Sequence, residues 1–183
     1  MILSSIRDNY THGSVGQFLT DALKSHADLS IVSAYFTIYA YHRLKDELNG
    51  INRLRFLFGE PSFIQSIDPE KKNSRTFRIE DDQLVIPLEN RLNQKSIAKE
   101  CYNWIHDKVD IRSMVKPNFL HGKLYHIMQE NGVEKAIVGS SNFTVNGLGL
   151  GGSRNIELNI IIDSDRDRQD LRKWFDNLWN DTT

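Results

Sequence analysis

Along the chain, short unbroken apolar runs alternate with apolar stripes at helical spacing. The runs are "LSIVSAYF" (29–36), "RLRFLFG" (53–59) and "VDIRSMV" (109–115), each of a length suited to a buried strand. Between the first two lies "IYAYHRLKDELNG", which reads as one helix with Gly50 just past its last turn. Ahead of them, Ser14 caps a helix over "VGQFLTDALKSH", with Val15, Phe18, Leu19 and Leu23 on one side. From Gln94, "QKSIAKECYNWIHDK" puts Ile97, Cys101, Trp104 and Ile105 on one stripe. The closing "SDRDRQDLRKWFDNLWND" has Ser164 as its cap, then Leu171, Trp174, Phe175, Leu178 and Trp179 at i, i+3, i+4, i+7, i+8. Strand, helix, strand in this order predicts an α/β fold, with a parallel sheet and helices packed on its faces. The charged stretch "EPSFIQSIDPEKKNSRTFRIEDDQ" reads instead as a long loop or excursion.

Asn131-Gly132 between two apolar segments is a strong hairpin signal. Taken as a two-residue turn, it sets Glu130 opposite Val133, Lys123 opposite Ser140 and His121 opposite Asn142. His121, Lys123, Ser140 and Asn142 then project from one face, which Tyr125, Ile127, Ala136 and Val138 continue as apolar surface. The following strand, "RNIELNIIID", turns Ile156, Leu158 and Ile160 one way and Asn155, Glu157 and Asn159 the other. An ammonium and neutral donors around an imidazole suit a phosphate oxyanion, and histidine is a competent nucleophile at phosphorus. A carboxylate such as Glu157 beside the ring can accept one imidazole N–H and leave the other nitrogen free to attack.

Composition narrows the field. The 183 residues carry a formal net charge of −1, so no global basic field draws in nucleic acid, and such a role needs a local patch. Lys71, Lys72, Arg75 and Arg78 form the nearest thing to one, but flanking acids make a solvated loop the simpler reading. No apolar run approaches the roughly 18 residues needed to span a bilayer. The opening "MILSSIRDNY" has neither a basic start nor a long apolar segment, so no secretory signal is expected. A single cysteine excludes an internal disulfide and a Cys-rich zinc site. Reducing cytoplasm is the expected setting.

The sequence "HGK", then "GSSNFT", then "RNIE" resembles the signature of the phospholipase D superfamily: His-x-Lys, Gly-Ser-x-Asn on the next strand, and a Glu shortly after. The segments "GSVGQFLTDAL", "IVSAYFT" and "WFDNLW" extend the likeness to phospholipase D-like domains of bacterial nucleases, restriction endonucleases and the N-termini of helicase-like proteins. The resemblance implies an α-β-α sandwich, a mixed central sheet flanked by helices, in one domain over 1–183 with 60–95 as a loop or insertion. It implies His121 as the nucleophile forming a phosphohistidine, Lys123 and Asn142 holding nonbridging phosphate oxygens with Ser140 alongside, Glu157 orienting His121, and no metal. One position departs from the pattern. The signature's Asp falls at Met128, and Glu130, next to the turn, is the nearest acid in its place.

Superfamily sites use two such motifs. The second His-x-Lys here, His106-Asp107-Lys108, lies on a predicted helix with no Gly-Ser-x-Asn after it. A two-fold homodimer that pairs two copies of His121 is therefore expected. His12, His26, His42 and His126 have no partner pattern, and His126 falls on the hairpin face away from the site as a packed or solvated residue. Trp104, Trp174 and Trp179 have helix spacing suited to packing, and Cys101 is expected to be inert. The leading expectation is a metal-independent nuclease acting on DNA. The alternative is a non-catalytic nucleic-acid-binding or assembly domain of a larger helicase or restriction system. A phospholipase ranks third, since no amphipathic membrane helix is evident and no membrane partner is expected.

Overall fold

The computed structural model describes residues 4–58, 88–114 and 120–181. Its centre is a seven-stranded sheet in the order β1-β7-β6-β5-β2-β3-β4. The strands are β1 (Ile6–Arg7), β2 (Asp28–Ser33), β3 (Arg53–Phe58), β4 (Val109–Ser113), β5 (Lys123–Met128), β6 (Glu134–Gly139) and β7 (Asn159–Ile161). β2, β3 and β4 run parallel, as strand–helix–strand order requires, whereas β5, β6, β7 and β1 join antiparallel. The sheet is thus mixed. The charged stretch after β3, with Lys71, Lys72, Arg75 and Arg78, lies outside the described residues, and the helix expected from Gln94 already begins at Leu88, inside the 60–95 excursion.

Helices cover both faces. α1 (Val15–Ala22), α2 (Ile38–Arg43), α3 (Lys45–Gly50) and α4 (Leu88–Lys108) lie on one side, where Leu19, Tyr41, Leu48 and Trp104 pack with Leu29, Ile31, Phe56, Tyr125 and Ile137. α5 (Asp165–Asn180) lies on the other, its Phe175 and Trp179 against Val32, Leu57, Leu124 and Ala136. Arg55 ties α5 down, since its guanidinium sits 4.8 Å from the Phe175 ring centre and 2.7 Å from Asp176. Ser14 and Ser164 cap α1 and α5 as their sequences require, accepting the N–H of Gln17 and of Asp167. Trp104 donates to the Leu48 carbonyl at 3.0 Å within the core, while Trp174 stays partly exposed.

Three local expectations change. The segment after β2 forms two short helices rather than one, broken at Leu44, and Gly50 is the last residue of α3 instead of lying beyond it. The strand expected from Arg154 begins only at Asn159, because the chain before it is held by the loop following β1 instead of by a ladder. The hairpin is the third. β5 and β6 pair Lys123 with Gly139, Tyr125 with Ile137 and Met128 with Glu134, one residue off the register of a two-residue turn. Gly132 takes φ +82° but Asn131 does not adopt positive φ, so the turn with two left-handed residues cannot form. Glu130, Asn131 and Gly132 make a three-residue loop, closed by Gln129 N–H to the Val133 carbonyl at 2.9 Å. Asn131 Oδ1 accepts the Val133 N–H at 3.1 Å, which holds Asn131 in this form.

Candidate active site

A one-residue slip exchanges strand faces, so the predicted face does not survive as drawn. Tyr125 and Ile127 share their side of the sheet with Ile137, whereas Ala136 and Val138 turn to the α5 side. Ser140 lies beyond the end of β6 and does not face Lys123 across the ladder. The backbones that carry Lys123, Ser140 and Asn142 nevertheless lie at one end of the sheet, by another route. β5 starts at Lys123, between the ends of β2 and β6. Beyond that start the two flanking chains close on each other, with Phe36 bridging Phe143 and the Thr37 N–H donating to the Phe143 carbonyl at 3.1 Å. Phe36 and Phe143 stack at 5.1 Å over the junction. This closure forms outside the carboxyl ends of the parallel strands, where open α/β sheets bind ligands.

Ser33, the last residue of β2, is the hub. It is buried, and its Oγ accepts the Phe143 N–H at 3.0 Å and the Tyr35 N–H at 3.3 Å. The same oxygen lies 2.8 Å from the Tyr35 carbonyl and 3.2 Å from Asn142 Oδ1. Asn142 Oδ1 also accepts the Ala34 backbone N–H at 3.1 Å, a donor that cannot reverse. The amide is therefore oriented with its oxygen towards β2 and its NH₂ away, available to donate. Lys123 Nζ donates to the His121 carbonyl at 2.7 Å, which draws its ammonium back over the segment that carries His121. His121 itself is exposed on the approach to β5.

Glu157 arrives from the other side. Its carboxylate accepts from Ser140 Oγ and, at 3.3 Å, from Asn155 Nδ2. Ser140 in turn accepts the Leu158 N–H at 3.1 Å, so its hydroxyl locks the β6 end to the Glu157 segment. Below them Tyr125 donates to the Ser141 carbonyl at 2.8 Å. Burial, and secondarily the Glu157 charge, push the Tyr125 phenol well above its ordinary pKa, so it stays a neutral donor. Asn159, also buried, accepts the Ser141 N–H at 3.2 Å and donates to Ser141 Oγ at 2.9 Å. The loop after β1 completes the frame. Asn9 Nδ2 donates to the carbonyls of Gly147 and Asn155, at 3.0 Å and 3.2 Å, and Tyr10 donates to the Arg154 carbonyl at 2.8 Å.

Sequence reasoning missed Ser33, Tyr125 and the Asn9 loop as parts of this frame. A serine ending the apolar run "SIVS" was the available sign of the first. The acid expected near the turn is also resolved differently. Glu130 is exposed in the loop, whereas Glu134, paired with Met128, is buried and 2.9 Å from His126 Nε2. Arg172 of α5 lies 3.2 Å from the other oxygen of Glu134. His126 is accordingly a packed residue on the α5 side. Cys101 is buried too, which pushes its thiol up to about 12 and leaves it unreactive.

Compared with known families, the chain matches over residues 19–179 the one described as "Cardiolipin synthase, PLD-like domain". The chain belongs to the phospholipase D superfamily. Its mixed sheet between helices agrees with the α-β-α sandwich of phospholipase D-like domains. Membership assigns the chain broadly to phosphodiester chemistry. No curated protein matches it. Among the described residues no helix is long and apolar enough to cross a membrane, and no three His, Cys, Asp or Glu side chains are grouped to hold a metal ion.

Proposed function

We propose that the protein is a metal-independent phosphodiesterase that cuts nucleic acid, DNA in the first instance, through a phosphohistidine on His121. The observation that supports this most is the closure at the start of β5. It orients the Asn142 amide beyond the sheet end at which β5 starts with Lys123, and Ser140, one residue past the end of β6, bonds Glu157. Lys123 and Asn142 would hold the nonbridging oxygens and offset charge that grows on them in the transition state. An imidazole nitrogen of His121 attacks phosphorus, the P–N bond forms, and the bond to the leaving oxygen breaks. That oxygen takes a proton from a second imidazole. In the second step this imidazole removes a proton from water, which attacks phosphorus and releases His121. Glu157 would steady the charge on the nucleophilic ring. DNA as substrate follows the likeness to bacterial nucleases and restriction-enzyme domains.

The second imidazole would come from a second copy of the chain. Ile156 and Leu158, either side of Glu157, are 86% and 62% exposed, and Ile6 and Ile160, cross-strand partners, are exposed beside them. Ile160 pairs with Val138 of the α5 side, so this apolar stripe lies near the β7 edge of the sheet, and its exposure favours burial. A two-fold dimer that buries it would bring a second His121 into the assembly.

The test is cleavage of labelled DNA in excess EDTA, with the mass in solution measured alongside. Wild type should cut and His121→Ala should not, while Leu158→Asp should yield an inactive monomer. Cleavage that stops in EDTA defeats the mechanism, and a monomer cutting at the wild-type rate removes the second copy from it. The absence of an acid at Met128 favours a second reading, a domain that grips DNA for a helicase or restriction system without cutting it. Salt-sensitive binding without product would establish that reading. Hydrolysis of phospholipid vesicles, with DNA left intact, would replace both.

A further inference from the structure

Tyr35 is 54% exposed although its neighbour Phe36 is packed between Phe56 and Phe143. Consecutive residues of an extended chain project to opposite sides, so packing Phe36 inward turns the Tyr35 ring outward. The ring is not on a loose loop. Its backbone N–H and carbonyl both bond Ser33 Oγ, the hydroxyl that also reaches Asn142. One residue before it, the Ala34 N–H orients the Asn142 amide. One residue after it, Phe36 bridges Phe143. A rigidly mounted aromatic face thus stands at the rim of the closure, attached to the strand that aims the candidate phosphate donor.

We infer that Tyr35 is a stacking platform for a nucleobase next to the phosphate gripped by Lys123 and Asn142, which makes single-stranded or unpaired nucleic acid the substrate class. This rests on the reading of the site as a phosphodiester site. A phosphate contact is blind to the base, whereas a base can lie on a ring only when it is free of its own stacked neighbours. A ring carried on an anchored backbone loses less freedom on binding than one on a loose loop, so more of its stacking contributes to affinity.

The experiment uses the full chain and two single-stranded oligonucleotides of equal length and charge. One carries 2-aminopurine beside the central phosphate, and the other is abasic there. Wild type should quench the 2-aminopurine fluorescence on binding. Tyr35→Ala should abolish the quenching and weaken binding of the base-bearing strand about 5- to 100-fold. Tyr35→Phe should keep both, and all three proteins should bind the abasic strand equally. Since the ring is largely exposed, its removal opens no core cavity, and matched melting curves check this. Equal binding and quenching by wild type and Tyr35→Ala overturn the inference even where cleavage proceeds. The converse result, stacking lost in Tyr35→Ala while wild type leaves the strand uncut, upholds the platform and overturns hydrolysis. Failure of wild type to bind either strand overturns both.

Discussion

Replacing Ser33 with alanine probes the closure at the start of β5. The hydroxyl satisfies the Phe143 N–H, which is buried, and the Tyr35 N–H, which is only part-buried. Water can take over the second of these but not the first. Ser33→Ala therefore leaves one buried donor without a partner, a loss of about 1–3 kcal/mol. At a middle value of about 2 kcal/mol, the melting temperature of a chain this size falls by about 4–8 °C. The cavity term is small, because only one oxygen is removed. Asn142 keeps the Ala34 N–H but loses its second hold. Any phosphodiester hydrolysis should then fall by about ten- to a hundredfold, since small misplacements of a phosphate donor carry large penalties. Thermal melting followed by circular dichroism reads the first effect, and initial rates well below the melting range read the second. A variant that melts within about 1 °C of wild type would mean that the Phe36–Phe143 stack, not Ser33, holds the closure.

Gly139→Ala should be more damaging. Its Cβ would lie 2.6 Å from the Asn159 Cα and closer still to the Leu158 carbonyl oxygen, so β7 must move away and carry Glu157 with it. The expected result is loss of soluble folded protein, or a denaturation midpoint far below that of Ser33→Ala; a wild-type midpoint would refute the close approach. His126 offers a pH test. Burial lowers its pKa despite the hydrogen bond that the ring donates to Glu134, and Arg172 adds to the lowering. A folded pKa below the unfolded one makes the unfolded chain the better proton acceptor. The stability of the neutral ring is thus fully present above about pH 6.5 and lost as pH falls below it. Urea midpoints at about pH 7.5 and about pH 5.5 should differ for wild type, and the difference should shrink in His126→Gln. An unchanged difference would assign the pH dependence to other groups.

Periodicity located β2, β3, α1 and α5 because each buries a run or stripe whose spacing is a local property of the chain, whereas β4, expected as a buried strand, forms an edge with Ile111 52% exposed. It could not locate β1, whose two residues form a strand only because Ile160 and Asn159 lie alongside. Nor could it identify the Ser33 hub, because two partners of that hydroxyl, Asn142 and Phe143, lie more than a hundred residues away. His121, Lys123, Ser140, Asn142 and Glu157 were legible as chemistry, but the path by which their backbones come together was not. The decisive unknown was the hairpin register. Asn-Gly serves a two-residue and a three-residue loop alike, and the neighbouring strand decides between them.

That decision reaches both ends of the hairpin. β5 pairs with β2 through Leu29–Ile127 and Ile31–Tyr125, which commits Tyr125 and Ile127 to the α1 side of the sheet. With those two fixed, β6 must offer Ile137 to the same side and Ala136 to α5, and only the longer loop does so. In the shorter register Glu134 would share a face with Tyr125 and Ile127, exposing the apolar core to a carboxylate. In the observed register Glu134 turns to the α5 side, bonds His126 and approaches Arg172. Glu134, the cross-strand partner of Met128, thus carries its carboxylate beneath α5. The same one-residue shift lets β6 end at Gly139, opposite Lys123, so that Ser140 is free to leave the ladder and bond Glu157. The His126–Glu134–Arg172 contacts behind the sheet and the hydrogen-bonded pair Ser140–Glu157 at its end are two consequences of a single register, so a substitution that shifts the loop disturbs both together.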